Sequence, residues 1–235
     1  KGGHGSRPHD AVDPVTCLAE IITSLQTAIT RRFDALEPIV LTVTNLRAGD
    51  GAFNAIPDQA SFSATVRVLR DEQINAVRQV IGEVTSNIAA AHRCSVEVDF
   101  EVLYPTTKTN ARENQFAATV WGAQFGPDSI RQFEAPMMAS EDFGAVLAQV
   151  PGSFFWPGTA TPQTPYAQRE WNHPPPARFD DSILGDQAAA LASIAFERLA
   201  TEDQHPSTIT KAARTAVKTG SPSAKAGEPV KAPED

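Results

Sequence analysis

The chain has 235 residues, of which 41% are hydrophobic, and a formal net charge of −8 at pH 7. This composition suffices for the packed core of one large or two small domains, and the acidic balance excludes a basic stripe of the kind that binds nucleic acid. No apolar run approaches the roughly 20 residues that a membrane-spanning helix needs, so we expect small molecules or other proteins as partners and no membrane.

The chain opens on a glycine-rich segment with a histidine, residues 1–9, which has the character of a strand end followed by a turn. A domain does not begin with the last residues of a strand, because those residues need the rest of the strand to pair with a neighbour. We therefore expect the chain to be the rear part of a longer protein.

Two helices are predicted in the first hundred residues. The Asp13-Pro14 pair predicts the start of a helix over about residues 14–32, because an acidic N-cap and a proline suit the first helical turn. Asp71 is predicted to cap a second helix that extends to about residue 91. Apolar residues recur along one face of each helix: Leu18, Ile22, Leu25 and Ile29, then Ile74, Val77, Ile81, Val84 and Ile88.

Strand patterns alternate with these helices. Residues 39–44, 61–68 and 95–102 alternate apolar and polar side chains. With the opening strand they give the order β-α-β-β-α-β, in which two helices cover one face of an antiparallel sheet. We predict this ferredoxin-like α+β domain over residues 1–107. Its uncovered face would present Thr42, Thr44, Arg67 and the acids of the last strand.

The pattern changes after Pro105, where short strands and helices follow one another. Helices are predicted near residues 112–124, from Ser140 and from residue 181 or 182, and short strands near 131–135 and 153–156. The last helix would place Leu184, Ala188, Leu191, Ala195 and Leu199 on one face. Because the short strands need neighbours that this segment does not supply, we predict residues 108–201 as the C-terminal part of an α/β domain. Residues 202–235 have almost no large apolar residue and are predicted to be a disordered tail.

Cys17 and Cys94 are the two cysteines of the chain, and each lies in an apolar stretch. Two buried thiols are favoured over a disulfide, because so few and so widely spaced cysteines do not form a disulfide framework. Free thiols suit a reducing compartment. We therefore predict a cytoplasmic protein.

Two candidate site residues lie near the polar face of the first domain. His4 stands between glycines, where a ligand can approach the backbone and an imidazole N–H can donate to a developing negative oxygen. The alternative is an exposed turn histidine. Asn54, shortly before the strand of residues 61–68, could bind a carboxylate or cap a turn. The sequence pattern leaves both alternatives open.

Arg67 points to the polar face of its predicted strand, and a guanidinium can bind a substrate carboxylate with two parallel hydrogen bonds. The alternative for this side chain is an ion pair within the sheet. Its partner would be an acid of the neighbouring predicted strand: Glu97, Asp99 or Glu101.

Three further candidates lie after residue 107. Glu141 and Asp142 begin a short predicted helix, where acids suit the helix dipole without any role in catalysis. His173, in a proline-rich loop over residues 159–177, is a candidate metal ligand. One histidine is not a metal site, because zinc takes three or four protein ligands.

Together these motifs resemble the M20 family of metallopeptidases and amidohydrolases over roughly residues 1–200. The motifs are the Gly-Gly-His-Gly-Ser-Arg-Pro-His opening, Asn-Ala-Ile-Pro at residues 54–57, the arginine thirteen residues after Asn54, Ser-Glu-Asp-Phe at 140–143, and Asn-His-Pro followed by Phe-Asp-Asp. The likeness is greatest to the hydrolases of N-acyl amino acids, hippurate and indoleacetyl-amino acids. It implies an α/β zinc-peptidase-like catalytic domain that is interrupted by a lid, or dimerisation, domain.

The resemblance also implies a role for each matching residue. His4 would stabilise the oxyanion formed at the scissile amide, often in the active site of the other subunit. Asn54 and Arg67 would hold the substrate carboxylate. His173 would be the last ligand of a centre of two divalent metal ions, zinc or manganese, with cobalt and nickel as alternatives. Glu141 and Asp142 would lie near the pocket without binding the metals themselves.

The other metal ligands and the general base precede the lid in this family, and this sequence does not contain them. We therefore expect the intact homodimeric protein to hydrolyse N-acyl amino acids or related small amides, and this chain alone to be inactive. The spacing from His173 to Phe179 exceeds that of the family motif by two residues. A non-catalytic dimerisation module and a pseudoenzyme are the alternatives.

Overall fold

The computed structural model of the chain describes residues 1–159 and 178–202. The predicted tail from residue 203 and most of the proline-rich loop, residues 160–177, lie outside the described residues. Contacts divide the chain into two compact units. The first contains residues 1–117 and 131–155, and the second contains residues 118–130 and the described residues from 156 onward. None of the described helices is long and apolar enough to span a membrane.

The two long helices of the first unit confirm the helical predictions. Helix α1 spans Pro14–Arg32, and the Asp13 carboxylate accepts a hydrogen bond of 2.8 Å from the Val15 N–H. Helix α2 spans Glu72–Ala91. Glu20 near the start of α1 pairs with His92 just after α2, at 2.7 Å.

An ion pair, 2.9 Å between Arg32 and Glu83, joins the end of α1 to the middle of α2. The start of α1 therefore lies beside the end of α2, and the two helices run in opposite directions. The helices are antiparallel neighbours.

In the described part of the chain, four strands form two small antiparallel sheets. Strand β1 spans Gly3–His4, β2 spans Val40–Ala48, β3 spans Ala55–Ile56 and β4 spans Ala60–Arg67. In the longer sheet β2 pairs with β4, so that Leu41 lies opposite Val66 and Ala48 opposite Ala60. The strand predictions at 39–44 and 61–68 are confirmed. The pairing of β1 with the two-residue strand β3 was not predicted from the sequence.

One face of the β2–β4 sheet is covered by α1 and α2, which gives the first unit its core. Leu25 of α1 and Val77 of α2 are the largest fully buried side chains. Ile21 is buried where the helical pattern favoured Ile22, which is only half-buried. The other buried core residues are Cys17, Ala28, Ile29, Leu41, Ile81, Val84 and Ala89. The predicted apolar faces of both helices are thus largely confirmed.

Residues 95–102 are not a strand in the structure, although they were predicted as the last strand of a ferredoxin-like sheet. The side chains of Val96, Val98 and Val102 are each exposed by at least 40%. Alternation of valine with acids describes a half-buried strand, but a strand also needs a partner for its backbone N–H and C=O groups. Among the described residues β2 and β4 pair only with each other, so the four-stranded arrangement is not confirmed.

The described residues after Pro105 contain three α-helices. Helix α3 spans Ala111–Phe125, α4 spans Phe143–Leu147 and α5 spans Leu184–Glu202, the last after a 3-10 turn at Asp181–Ile183. The helix predictions are confirmed. The strands predicted near 131–135 and 153–156 are absent from the described residues, because neither segment has a strand beside it to pair with.

Helix α5 presents much of its predicted apolar face to solvent. Leu191 is 71% exposed, and Leu184 and Leu199 are exposed as well. The spacing of these residues in the helix puts them on one face. The described part of the chain leaves that face uncovered.

Asp71 does not cap α2 with its side chain, contrary to the sequence prediction. Its carboxylate instead accepts hydrogen bonds from the Thr106 N–H at 2.8 Å and from Lys108 Nζ at 3.1 Å. At the helix start the buried Gln73 binds backbone groups instead: its side-chain oxygen accepts hydrogen bonds from the N–H groups of Leu69 and Arg70. Asp71 therefore anchors the segment that follows residue 105.

We expect a small pH-dependent contribution of Asp71 to stability. Burial acts to raise the pKa of Asp71, but hydrogen bonds from Thr106 and Lys108 outweigh burial and lower that pKa below its ordinary value. The contribution is therefore complete above the pKa of an unfolded aspartate, about 3.9, and is lost as the pH falls through the lower folded pKa.

Urea unfolding at pH 7 and near pH 3 should show Asp71→Asn less stable than the parent, with a smaller difference near pH 3. The difference should stay below about 1 kcal/mol, because the side chain is 40% exposed. Glu72→Gln, a change at the neighbouring exposed carboxylate, serves as the control and should have no such effect. An equal loss at both pH values would contradict the assignment to the ionised carboxylate.

Helix α2 ends in an unusual backbone turn. Arg93 has a φ of 59°, in the left-handed region that glycine normally occupies. The N–H of Cys94 donates to the carbonyl of Ala89 at 2.8 Å and the N–H of Arg93 to that of Ala90 at 3.0 Å. This pair of bonds is the Schellman motif that closes many helices, and it turns Cys94 back toward the helix pair.

The left-handed arginine predicts a stabilising substitution. Arg93→Gly should raise the free energy of unfolding by about 0.5–1 kcal/mol, because glycine adopts this conformation without the clash of a Cβ atom. The measurement is urea denaturation of the parent and the variant. Arg93→Ala, which removes the charge but keeps the Cβ, is the matched control and should not stabilise. Equal stabilisation by both variants would show that the charge, not the backbone, is responsible.

Candidate functional site

His4 and Asn54 are brought together by the pairing of β1 with β3. His4 lies opposite Ala55, and the N–H of Gly5 donates to the carbonyl of Asn54 at 2.7 Å. A Cβ atom on Gly5 would lie 3.1 Å from that carbonyl oxygen, which is a tighter contact than side chains normally make. Glycine after the histidine therefore permits the close approach of the two segments.

The ring of His4 is oriented by Ser6. The Ser6 N–H lies 3.2 Å from His4 Nδ1, and the Ser6 hydroxyl lies 2.9 Å from the same atom. A backbone N–H can only donate, so Nδ1 is an acceptor. In the neutral ring the proton must then be on Nε2, which leaves an Nε2–H donor on the far side of an exposed imidazole.

The loop before Asn54 is exposed and depends on glycine. Gly49 and Gly51 have φ values of 69° and 98°, which glycine adopts without strain. Phe53 is 100% exposed beside Asn54. On the other side of β3, the N–H of Gly2 donates to Asp58 Oδ1 at 2.6 Å.

None of the ion pairs or strand pairings among the described residues joins Arg67 to His4 or Asn54. It is the last residue of β4, opposite Val40, and lies seven positions along the strand from Ala60, about 23 Å. The alternative ion pair with Glu97, Asp99 or Glu101 is absent as well, because residues 95–102 do not pair with β4.

The candidates of the second segment do not assemble a metal centre in the described residues. The Glu141 carboxylate accepts from the Phe143 N–H at 3.2 Å, and Asp142 precedes α4 without a capping hydrogen bond. Helix α4 lies close to the segment after Pro105, because a Cβ on Gly144 would be 2.9 Å from the Pro105 carbonyl oxygen. His173 lies outside the described residues. The described residues contain no group of three or more histidine, cysteine or acidic side chains that could hold a metal ion.

Sequence reasoning overlooked two residues of this site. Ser6 follows His4 by two residues, a spacing at which a backbone N–H and a hydroxyl can reach Nδ1, but serines in turns are too common for this to be a signal. Phe53 directly precedes Asn54, and a phenylalanine between a Gly-Asp-Gly turn and an asparagine was the available hint of an exposed aromatic.

The fold and the sequence comparison define the first part of the chain as the dimerisation domain of a peptidase. Residues 1–93 match the family described as a peptidase dimerisation domain of M20 type. The chain is 30% identical over 200 residues to N-acetylcysteine deacetylase of Bacillus subtilis, a match that covers 85% of this chain and 48% of the relative. It is 32% identical over 204 residues to an IAA-amino acid hydrolase of Arabidopsis thaliana, covering 85% and 45%.

A solved structure agrees with this assignment. The crystal structure of a Bacillus subtilis protein described as a dinuclear metal binding peptidase from the M20 family has a TM-score of 0.60 and 27% identity, over 82% of this chain and 48% of that one. The chain belongs to the M20 family, which confirms the resemblance seen in the motifs. It spans about half the length of the relatives that it matches.

The geometry around Ser6 predicts the tautomer of His4. Nitrogen NMR of the neutral ring should show the proton on Nε2. The reason is that the Ser6 N–H occupies Nδ1. Ser6→Ala keeps the backbone donor and should keep this tautomer, whereas a proton on Nδ1 in the parent would contradict the observed contact. His9, exposed on the same segment, provides an internal comparison.

Proposed function

We propose that the whole protein hydrolyses the amide bond of an N-acyl amino acid or a related small amide. The single observation that carries this proposal is the exposed His4 ring, whose Nδ1 accepts from Ser6 and whose Nε2–H is left as a donor. The names of the relatives support it, since they are a deacetylase of an acyl amino acid and a hydrolase of an amino acid conjugate.

We assign the oxyanion role to His4. Attack on an amide carbonyl moves negative charge onto its oxygen, and a fixed N–H donor aimed at that oxygen stabilises the transition state more than the ground state. The carbonyl of Asn54, which binds the Gly5 N–H, limits the movement of the histidine relative to the loop.

We assign binding of the substrate carboxylate to Asn54 and Arg67, supplied by different subunits of the proposed homodimer, because the two residues lie far apart within one chain. An amide N–H and a guanidinium are both donors to carboxylate oxygens, and arginine adds a fixed positive charge. None of the ion pairs among the described residues uses Arg67, so its guanidinium is available for a substrate. This assignment predicts an effect on KM rather than on the chemical step.

We infer that the metal centre is completed outside the described residues. The described part of the chain does not fit two divalent ions, because it offers no cluster of three ligands. His173 is the proposed ligand from this chain, and Glu141 and Asp142 are proposed to lie near the pocket without binding the metals. Zinc or manganese are the proposed ions ahead of cobalt or nickel. The dinuclear metal binding peptidase among the similar structures supports a centre of two metal ions.

We further propose that the protein is a cytoplasmic homodimer, associated through a lid domain over residues 1–107 and followed by part of a catalytic domain over 108–201. The exposed valines of residues 95–102 and the exposed apolar face of α5 support this division. In the whole protein residues 95–102 would become the last strand of the ferredoxin-like sheet, and α5 would pack against the remainder of the catalytic domain.

The full-length product of the gene tests the proposed function. Purified with added zinc or manganese, it should hydrolyse hippurate or N-acetyl amino acids, while the 235-residue chain alone should not. In the full-length protein His4→Ala should lower kcat by about 10²–10³, the usual effect of losing an oxyanion donor. His9→Ala removes an exposed histidine of the same segment and should leave kcat unchanged.

Two results would contradict these assignments. Strong hydrolysis by the isolated chain would show that its own residues complete the metal centre. Unchanged turnover in His4→Ala would remove His4 from the mechanism.

A non-catalytic dimerisation module is the second candidate. One observation favours it, namely the lack of a metal-ligand cluster among the described residues. Size-exclusion chromatography together with the activity assay separates the two candidates. A dimer that stays inactive as the full-length product with added metal is a module, whereas a dimer that hydrolyses the amide is the proposed enzyme.

A further inference from the structure

The two cysteines of the chain meet at one end of the antiparallel helix pair. Cys17 lies in the first turns of α1, and Cys94 follows the Schellman turn that ends α2. The Cys94 sulfur is 3.8 Å from the carbonyl oxygen of Asp13, the N-cap of α1. In an α-helix the carbonyl of one residue faces the N–H four residues later, so this contact places Cys94 beside Cys17.

The neighbourhood of the two thiols is well defined. Glu20, one turn after Cys17, pairs with His92 at 2.7 Å and so fixes the same ends of the two helices. Both thiols are free, and Cys94 packs against the core that contains Cys17. The contacts of Cys94 with Asp13 and of Glu20 with His92 therefore bring together two sulfur atoms that lie 77 residues apart in the sequence.

The two thiols differ in access. Cys17 is 4% exposed, whereas Cys94 is only half-buried. Burial, followed by the hydrogen bond and charge of the Cys94 side chain, raises the pKa of Cys17 to about 11. Cys17 therefore stays protonated at neutral pH, and Cys94 is the sulfur that an oxidant reaches first.

We propose that Cys17 and Cys94 are a modification site, a thiol pair that peroxide converts into a disulfide linking the start of α1 to the end of α2. This proposal does not depend on the hydrolase activity. It concerns the oxidised form of the chain, whereas the structure contains the reduced form with two free thiols.

The chemistry is balanced with hydrogen peroxide as the oxidant. The Cys94 sulfur attacks peroxide, the O–O bond breaks, and Cys94 becomes a sulfenic acid as the first water leaves. The Cys17 sulfur then attacks the Cys94 sulfur, the S–O bond breaks, and the departing hydroxide takes the Cys17 proton as a second water. The thiol pair loses two electrons, which reduce one peroxide to two waters.

The disulfide would cross-link elements that the Glu20–His92 contact already holds near each other. Because the link closes a long loop of chain, it restricts the unfolded state more than the folded state. We therefore expect oxidation to stabilise the first unit with little change in its fold, and a dithiol reductant to reverse the effect.

The 235-residue chain is suited to the test because it contains no cysteine besides these two. After treatment with hydrogen peroxide, intact-mass analysis should show the loss of two hydrogen atoms, and the free thiols should fall from two to none. The melting temperature should rise by roughly 5–15 °C and return to its starting value with dithiothreitol. Peptide mapping should recover a fragment that joins Cys17 to Cys94.

The matched variant is Cys17→Ala, which retains the accessible thiol. Peroxide should stop at the Cys94 sulfenic acid in this variant, which dimedone traps, and the melting temperature should not rise. In the parent chain, three outcomes would each overturn the proposal: persistence of two free thiols, oxidation of Cys94 to sulfinic acid with Cys17 unchanged, or disulfides formed only between chains. These measurements on the parent decide the question even if the variant is unstable.

Discussion

The first unit depends on the burial of one face of the β2–β4 sheet beneath two antiparallel helices. A two-stranded sheet is marginal in water without a covering layer. Leu25 of α1 and Val77 of α2 supply the centre of that layer, and complete burial of such side chains contributes about 1.5–3 kcal/mol each. The Arg32–Glu83 ion pair is exposed, and the contact of Glu20 with the half-buried His92 is partly exposed, so both add less. Apolar packing sets the positions of the helices, and the charges select their alignment.

The site residues are attached to this core through much weaker structure. Strands β1 and β3 have two residues each. The loop that carries Asn54 is held by a few backbone hydrogen bonds, among them the one from the Gly5 N–H to the Asn54 carbonyl. The exposed loop contributes almost no apolar burial. Local stability is therefore lower here than at the helix pair, a distribution that is common for segments that bind ligands. The Ser6 contact orients the His4 ring without adding to the core.

Sequence patterns predicted the helices well because helical signals are local. The Asp13-Pro14 start and the apolar spacing of α1 need no information from elsewhere in the chain. Residues 95–102 show the opposite case, because alternation indicates which face of a strand is apolar but not which strand lies beside it. The left-handed turn at Arg93 was hidden because arginine does not signal that conformation. This turn places Cys94 near Cys17. Because the two cysteines lie 77 positions apart, the sequence did not reveal that they approach each other. His4 and Asn54 were selected by motif, yet the two-residue pairing that joins them is too short to give a periodic pattern.

The exposure of the site indicates what the proposed activity requires. A hydrogen-bond donor stabilises a developing oxyanion strongly only where water is excluded, since water lowers the strength of the interaction and competes for the donor. His4 is exposed, and Phe53 beside Asn54 is entirely so. The described residues thus provide an oriented donor and an apolar ring without the surface that would cover them. If His4 acts in hydrolysis, a second surface has to close over this loop, and the exposed Phe53 is the side chain placed to be buried when it does. The same closure would exclude water from the reacting carbonyl, so substrate binding and catalysis would both depend on an interface that the weakly held loop can adjust to form.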